Sequence, residues 1–391
     1  MRKVTTVING FKTDRHARCS IVHIGSQLSP DLDFGGPVRV AVNLAREQRA
    51  RGQRVIIAGA ATSGSTGPQE FMGLPAHIFR GWQLPGSRRA TLRVSFGLWA
   101  FTARVRSAVE VIHIHMGRDL ISIVAALIAT TGSARVVLQT HGMVEPPRLR
   151  IVAVLDRLAT RRVFAKAHAV LTLTRSESDY ANHLARQQVA RSLANGIPIS
   201  NPPSASQSIP SEDFTILFLG RLHPRKGVVQ LARVVTRSNL LDDAALVVAG
   251  PDEGDLPALR ALIGNTDAAK ANYIGAVRGE NVHSIMASAD LYVLPAPAEP
   301  FGMTVLEALN AATPVLLHRT AALASELESE GLAFSFDGTD DHLEEVLRHI
   351  IRHRKELREM GRRGHEYVQA KYGIGPVTDL VNSAYLGICD E

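Results

Sequence analysis

The chain has 391 residues, 45% apolar and 21% charged, with a formal net charge of +7. This composition excludes a disordered, collagenous or disulfide-rich chain, and the length predicts two or three domains that each bury a core. The charge is uneven: residues 1–200 carry 27 Lys and Arg against 11 Asp and Glu, whereas residues 201–391 carry 17 against 26.

Residues 1–20 mix Arg, Lys, Asp and His without an apolar core, so no secretory signal is expected there. From there, short β-branched runs alternate with longer amphipathic stretches. The first half predicts strands at 20–24, 54–58, 111–115, 135–140 and 169–174. Helices are expected between them at 36–51, 118–130, 150–167 and 177–184. The stretch 195–213, rich in Pro, Ser and Asn and free of periodicity, reads as a linker. Strands follow at 215–219, 245–249, 272–274, 291–294 and 315–317, with helices between them and a charged helical stretch at 342–370. Apolar strands each followed by a helix predict parallel sheets covered on both faces. About ten strands are too many for one small sheet and suit two doubly wound domains.

The longest apolar run, 120–131, falls short of the roughly 18 residues that a membrane span needs. Cys19 and Cys389 lie at opposite ends, so no disulfide framework is expected and a reducing, cytoplasmic compartment is the simpler reading. The basic first half points to an anionic partner. Arg88, Arg89, Arg93, Arg104 and Arg106 stand near Trp82, Phe96, Trp99 and Phe101, a mixture suited to an anionic lipid surface or a lipid-phosphate acceptor. A solvated surface in an Arg-preferring organism is the alternative, since only 7 of the 44 cations are Lys. No nucleic-acid-binding module accompanies the charge, so nucleic acid is not expected as a partner.

Ligands of doubly wound domains bind beyond the carboxyl ends of the strands. The strand at 215–219 runs into Gly220-Arg221-Leu222-His223-Pro224-Arg225-Lys226-Gly227, three cations between glycines at a strand-to-helix turn. That is an anion site, or a surface loop with ordinary cations; it lacks P-loop spacing. After the strand at 291–294 comes Pro297-Ala298-Glu299-Pro300-Phe301-Gly302-Met303-Thr304-Val305-Leu306-Glu307, which opens an apolar helix whose free N–H groups favour anions. Glu299 and Glu307 suit vicinal sugar hydroxyls, or serve as capping and surface charge. In the first half, Phe34-Gly35-Gly36-Pro37 opens a helix at which backbone can approach a ligand closely. His141 ends a strand before Gly142, placed either for a cleft or as a structural histidine. His113 and His115 share one face of a strand, without the further ligands a metal site would need.

The segments FGGPVRVAVNLARE, VIHIHMG, LQTHG, LTLTRSESDY, NGIP, FLGRLHPRKG, LVVAGPDEGD, YIGAV, MASADLYVLPAPAEPFGMTVLEAL and TPVL resemble, in this order, the retaining glycosyltransferases of family 4, the group 1 type. The resemblance covers nearly the whole chain. It implies the α/β GT-B fold, two doubly wound, Rossmann-like parallel-sheet domains facing across a cleft. Residues 1–200 would bind the acceptor, 201–370 the nucleotide-diphosphate sugar, and 371–391 would form a helix packing back towards the first domain.

Carried onto this chain, the resemblance makes Arg221, Lys226, Glu299 and His141 the catalytic set. Arg221 and Lys226 would neutralise the diphosphate, Glu299 would contact the transferred sugar, and His141 would lie near it. Gly35 and Gly36 would approach the distal phosphate. Main-chain N–H groups of Phe301, Gly302 and Met303 would hold hydroxyls or phosphate, and Glu307 the ribose. The nucleobase would lie near Ala276, Val277 and Arg278. No cofactor and no metal are implied, because fixed cations and helix N–H groups can offset the charge growing on the leaving diphosphate. Retention would need no enzyme nucleophile, since the acceptor can attack on the leaving-group face, in contrast to the paired carboxylates of retaining hydrolases. Closure about residues 202–206 would exclude water.

The expected activity is transfer of a hexose-type sugar onto a lipid-linked or surface-polysaccharide acceptor. The expected place is the cytoplasm, with peripheral contact at the inner face of the plasma membrane. A soluble transferase with a small acceptor, a nucleotide-sugar epimerase and a non-catalytic sugar-nucleotide-binding subunit are the alternatives. Two departures stand out. The family often has a Gly-Gly pair after the position of Thr313-Pro314, where this chain has His318-Arg319-Thr320-Ala321-Ala322, and residues 1–18 have no counterpart.

Overall fold

A computed structural model describes residues 19–28, 36–84, 90–147, 149–200, 214–264, 266–277 and 281–386. Residues 1–18, the linker at 201–213, Phe34, Gly35, Arg88, Arg89, Arg278 and Cys389 lie outside that set. The chain divides into two compact units, Met1–Gly196 with Ile374–Glu391, and Ile197–Gly373.

The first unit contains β1 (Ser20–Gly25), β2 (Arg54–Ala61), β3 (Gly67–Phe71), β4 (Leu74–Arg80), β5 (Trp82–Gln83), β6 (Arg93–Val94), β7 (Val111–His115), β8 (Arg135–Gln139), β9 (Ala169–Thr172) and β10 (Ala190–Ser192). Eight of them form one sheet in the order β10-β9-β8-β7-β1-β2-β4-β3, and β5 pairs with β6 separately. All neighbours in the large sheet are parallel except β3, which runs antiparallel to β4 at the edge. That hairpin is a departure from the all-parallel expectation. Its turn, Met72-Gly73, takes positive φ at both residues (52° and 78°), a turn that Met seldom signals in sequence.

The alternation of β1 and β7 decides what lies on each side of this sheet. Val22, Ile24, Ile112 and Ile114 enter a core with Leu98, Phe101, Ile121 and Ala125. His23, His113 and His115 face the opposite way and are equally buried. The helix Gly36–Ala50 supplies Gln48 to these histidines, and the helix Ile374–Leu386 supplies Tyr385. The latter helix is also tied to this unit by Arg51, which donates to the Gly375 carbonyl at 2.9 Å and pairs with Asp379.

The single helix expected over 150–167 is interrupted. Arg150–Leu155 and Arg161–Lys166 are α-helical, and Asp156–Thr160 makes a π-turn between them. The buried Asp156 carboxylate explains the bulge. It accepts from Arg118 Nη2 at 3.0 Å, Tyr180 Oη at 2.8 Å and Thr160 Oγ1 at 2.9 Å, which holds the backbone in place there.

The second unit contains β11 (Phe214–Leu219), β12 (Ala244–Ala249), β13 (Ala271–Tyr273), β14 (Leu291–Leu294), β15 (Val315–His318) and β16 (Ala333–Phe336), all parallel, in the order β13-β12-β11-β14-β15-β16. Strand order reverses between β11 and β14, so a crevice for ligands is expected beyond their carboxyl ends. β16 was not anticipated, because its Ala-Phe-Ser-Phe run carries one small polar residue in four. Among the described residues, no helix is long and apolar enough to cross a membrane.

Candidate active site

Both sequence motifs of the second unit emerge at that reversal of strand order. After β11, Lys226 ends a 3₁₀ turn, Pro224–Lys226, capped by the His223 ring, which accepts from Arg225 N at 3.1 Å. Gly227 follows with φ 76°, and a Cβ there would stand 2.8 Å from Pro295 Cβ. Glycine therefore lets this turn press against the end of β14. The result brings Lys226 Nζ to 2.5 Å from Glu299 Oε2, with side chains only 21% and 15% exposed. Two residues 73 positions apart become one ion pair at the head of the crevice.

Arg221 has a different partner. Its Nη1 lies 2.9 Å from Glu253 Oε2, on a loop drawn close by Gly250, where a Cβ would come within 1.7 Å of the Gly220 carbonyl oxygen. The Arg221 side chain is 60% exposed, so this pair is weak and readily exchanged for a stronger anion. Sequence reading missed Glu253; Gly-Pro-Asp-Glu carries no signal that its carboxylate would meet Arg221.

The helix Met303–Asn310 begins at Gly302, in the left-handed region at φ 75°. Val305 N donates to the Gly302 carbonyl at 2.9 Å, and the N–H groups ahead of it at the helix start offer an anion or hydroxyl site. Val305, Leu306, Ala308 and Leu309 bury one side, Glu307 is half-buried in the second turn, and Phe301 packs edge-on against Tyr372. Tyr292 Oη, in β14, lies 2.7 Å from Thr304 Oγ1 and anchors the start of the helix; burial pushes its hydroxyl pKa up. The departure at 318–322 buttresses the loop. Thr320 Oγ1 accepts from Ala298 N at 3.0 Å, and Ala322 N donates to the Glu299 carbonyl at 2.9 Å. Ala298 sits at φ 50°, so the backbone bearing Glu299 is held in a tight bend. Val277 is half-buried after β13, and Ala276 is exposed.

In the first unit, Gly36 starts its helix with nothing within 4 Å of a would-be Cβ. His141 follows β8 with φ 54° and is 9% exposed. Its Nε2 is 2.9 Å from His115 Nδ1; His115 Nε2 is 2.9 Å from His23 Nδ1; and His23 Nε2 is 2.8 Å from Gln48 Oε1. His113 joins from the side through Tyr385 Oη at 2.8 Å. Burial pushes His23 and His141 down to about 4 and holds His113 and His115 well below the usual imidazole range, so all four are neutral near pH 7. Ring nitrogens of His23, His113 and His115 lie within 4.8 Å of one another, a spacing a cation could use. Both nitrogens of His23 and of His115 are, however, engaged in hydrogen bonds. The sequence signal for this cluster was available in Val22-His23-Ile24 beside Ile112-His113-Ile114-His115, a period-2 pattern.

The basic face differs from the expectation in part. Phe101 is fully buried against His77 and Phe79, and Trp99 is half-buried with its Nε1 donating to the Ile121 carbonyl, so neither offers a ring to a surface ligand. Trp82 and Phe96 remain exposed and touch each other. A second exposed group, not anticipated, combines Leu149, Val154 and Leu158 with Arg150, Arg157 and Arg162.

Comparison with known proteins follows the same division. Residues 35–196 match the family model described as Glycosyl transferase 4-like domain, and residues 203–367 match Glycosyl transferases group 1. An uncharacterized glycosyltransferase of Methanocaldococcus jannaschii is 33% identical over 32% of this chain and 32% of its own length. D-inositol 3-phosphate glycosyltransferase of Salinispora tropica is 28% identical over 34% of this chain and 30% of its own. GDP-mannose-dependent alpha-mannosyltransferase of Mycolicibacterium smegmatis is 28% identical over 44% of this chain and 40% of its own. The chain thus spans less than half of each of these curated relatives. Anabaena HepE in complex with UDP and glucose shares the fold at TM-score 0.69 and 17% identity, covering 93% of this chain and 98% of that one. WaaG, a glycosyltransferase involved in lipopolysaccharide biosynthesis, does so at TM-score 0.64 and 17% identity, covering 94% and 100%.

Proposed function

The first unit belongs to the 4-like and the second to the group 1 glycosyl transferases, and from this premise we propose that the chain moves a hexose-type sugar from a nucleotide-diphosphate donor to an acceptor hydroxyl, retaining anomeric configuration and needing no metal. The observation that carries the reading is the Lys226–Glu299 pair at the reversal of strand order, beside the start of the helix that Gly302 opens without a side-chain cap. An ammonium has three donors, so Lys226 can keep Glu299 and still take a phosphate oxygen. Arg221 exchanges its exposed bond to Glu253 for the diphosphate. Phe301, Gly302 and Met303 offer N–H groups to phosphate or sugar, and Glu307 accepts from ribose hydroxyls. Glu299 orients the sugar rather than attacking it, because a carboxylate held by an ammonium is a poor nucleophile. Relatives named for GDP-mannose and a neighbour bound to UDP and glucose support a sugar-nucleotide donor.

For the acceptor, the exposed Leu149, Val154 and Leu158 among arginines support a lipid-linked substrate at an anionic membrane surface. A small soluble acceptor is the second reading, favoured by the D-inositol 3-phosphate relative. The test is release of nucleoside diphosphate from a panel of sugar nucleotides that is chosen by thermal shift. Release that requires an acceptor, survives EDTA and is lost in Lys226→Ala supports the reading. Undiminished release in Lys226→Ala overturns it. Binding to anionic vesicles at low salt separates the two acceptor classes.

A further inference from the structure

The buried histidines form a line with a direction. Gln48 Nε2 donates to Asn382 Oδ1 at 3.3 Å and to Tyr385 Oη at 3.2 Å, which turns its Oε1 towards His23 as an acceptor. His23 therefore carries its proton on Nε2. Each of these rings is neutral and holds one N–H, so His23 Nδ1 is a bare acceptor. It takes the Nε2–H of His115, whose own Nδ1 is then bare and takes the Nε2–H of His141. What remains at the end is His141 Nδ1, buried and without a hydrogen bond of ordinary geometry among the described residues; the Asn195 side chain interacts with the ring and favours its charged form.

We propose that Gln48, His23 and His115 are positioning residues that hold His141 as the Nε2–H tautomer and so present its Nδ1 lone pair as an acceptor for a substrate hydroxyl. The tautomer follows from the Gln48 hydrogen bonds and from one N–H on each buried ring; that the hydroxyl belongs to a sugar rests on the transferase reading above. Several observations converge. His141 is held at φ 54° by its loop, a backbone setting of the kind that clusters at functional sites. The line begins on the helix Ile374–Leu386 and the helix Gly36–Ala50 and ends beyond the carboxyl end of β8, which couples the packing of those helices to the His141 ring. A histidine free to choose would present donor or acceptor to a hydroxyl equally, whereas this one presents only an acceptor.

The experiment uses the whole chain labelled with ¹⁵N-histidine and long-range ¹H–¹⁵N correlation, which separates protonated from bare ring nitrogens. His23, His115 and His141 are expected as Nε2–H with Nδ1 bare. Gln48→Met, which removes the source of direction, should populate the Nδ1–H form of His141 and lower kcat/KM on the order of tenfold, about the value of one hydrogen bond. Asn382→Asp, whose carboxylate can only accept from Gln48 Nε2, should leave the His141 ring as in the parent. A parent protein with His141 protonated on Nδ1 overturns the proposal, whatever the variants do and even if Gln48→Met fails to fold. An unchanged tautomer and rate in a folded Gln48→Met also overturns it. Correct tautomers in a chain that turns over no sugar nucleotide would instead fault the transferase reading and leave the line standing.

Discussion

The carboxylate of Glu177 accepts the backbone N–H of Gly142 at 3.1 Å, and thereby grips the loop that carries His141. The oxygen involved, Oε2, also accepts from Leu173 N at 2.8 Å, and Oε1 accepts from Val144 N at 3.0 Å; the Glu177 side chain is fully buried. Thr174 caps the helix Arg175–Ala185 and receives Glu177 N at 3.0 Å, so the acid sits in the first turn, where the helix dipole favours it. A single carboxylate thus satisfies three backbone donors, buried or half-buried, from two segments. Glu177→Ala would leave those donors unmet and should cost roughly 2–4 kcal/mol of stability. Chemical unfolding measures that cost. Glu177→Gln, which keeps one acceptor oxygen, should lose less.

Lys226 and Glu299 make the sharpest kinetic test. Removing the ammonium takes away the charge facing the proposed leaving group and strands a carboxylate that is 15% exposed. Lys226→Ala should lower turnover by about a hundredfold or more while leaving the fold intact. Lys226→Arg should recover part of it, since the guanidinium keeps the charge but not the compact geometry. Single-turnover nucleoside-diphosphate release reads both.

Arg221 should behave differently, because its partner Glu253 is 37% exposed and the pair is weak. Glu253→Gln is expected to change stability by less than about 0.5 kcal/mol and to leave donor KM the same or lower, since it frees the guanidinium. Arg221→Ala should raise donor KM. Thermal melts and donor titrations separate the two.

The buried histidines set a pH dependence. In the folded chain His23 and His141 are held near 4, against 6.5 for a free imidazole, because burial disfavours their charged forms. Between these values the unfolded chain binds more protons than the folded one. Stability is therefore full above about pH 6.5 and falls as the pH drops towards 4. Each such histidine contributes on the order of 3 kcal/mol across that window. Tm should decline steadily below pH 6.5, and replacing His23 by a neutral isostere such as Gln should flatten the decline.

Strands with uninterrupted β-branched runs were mostly legible to within a residue or two: 111–115 and 291–294 coincide with β7 and β14, whereas β2 runs three residues beyond the expected 54–58 into Gly59-Ala60-Ala61. The features that escaped depended on partners far along the chain. The β3–β4 hairpin turns on Met72-Gly73, and the π-turn at Asp156–Thr160 exists because Arg118 and Tyr180 reach Asp156. In the candidate site, the motifs bearing Arg221, Lys226, Glu299 and Glu307 were visible as residue types in a recurring order. Their pairing was not. No local pattern couples Lys226 to Glu299 rather than Arg221 to it, nor Arg221 to Glu253.

By itself, then, the sequence determined the alternation of strand and helix, the two-part division and the identity of the chemically able side chains, because these follow from hydrophobic period and from residue type over short windows. Tertiary structure alone decided which charges meet, which of four buried histidines reaches the end of β8, and which face of that ring is bare. Those outcomes depend on strand order, on glycine-permitted approach at Gly227 and Gly250, and on helix Ile374–Leu386 returning to the first unit, none of which a local window contains.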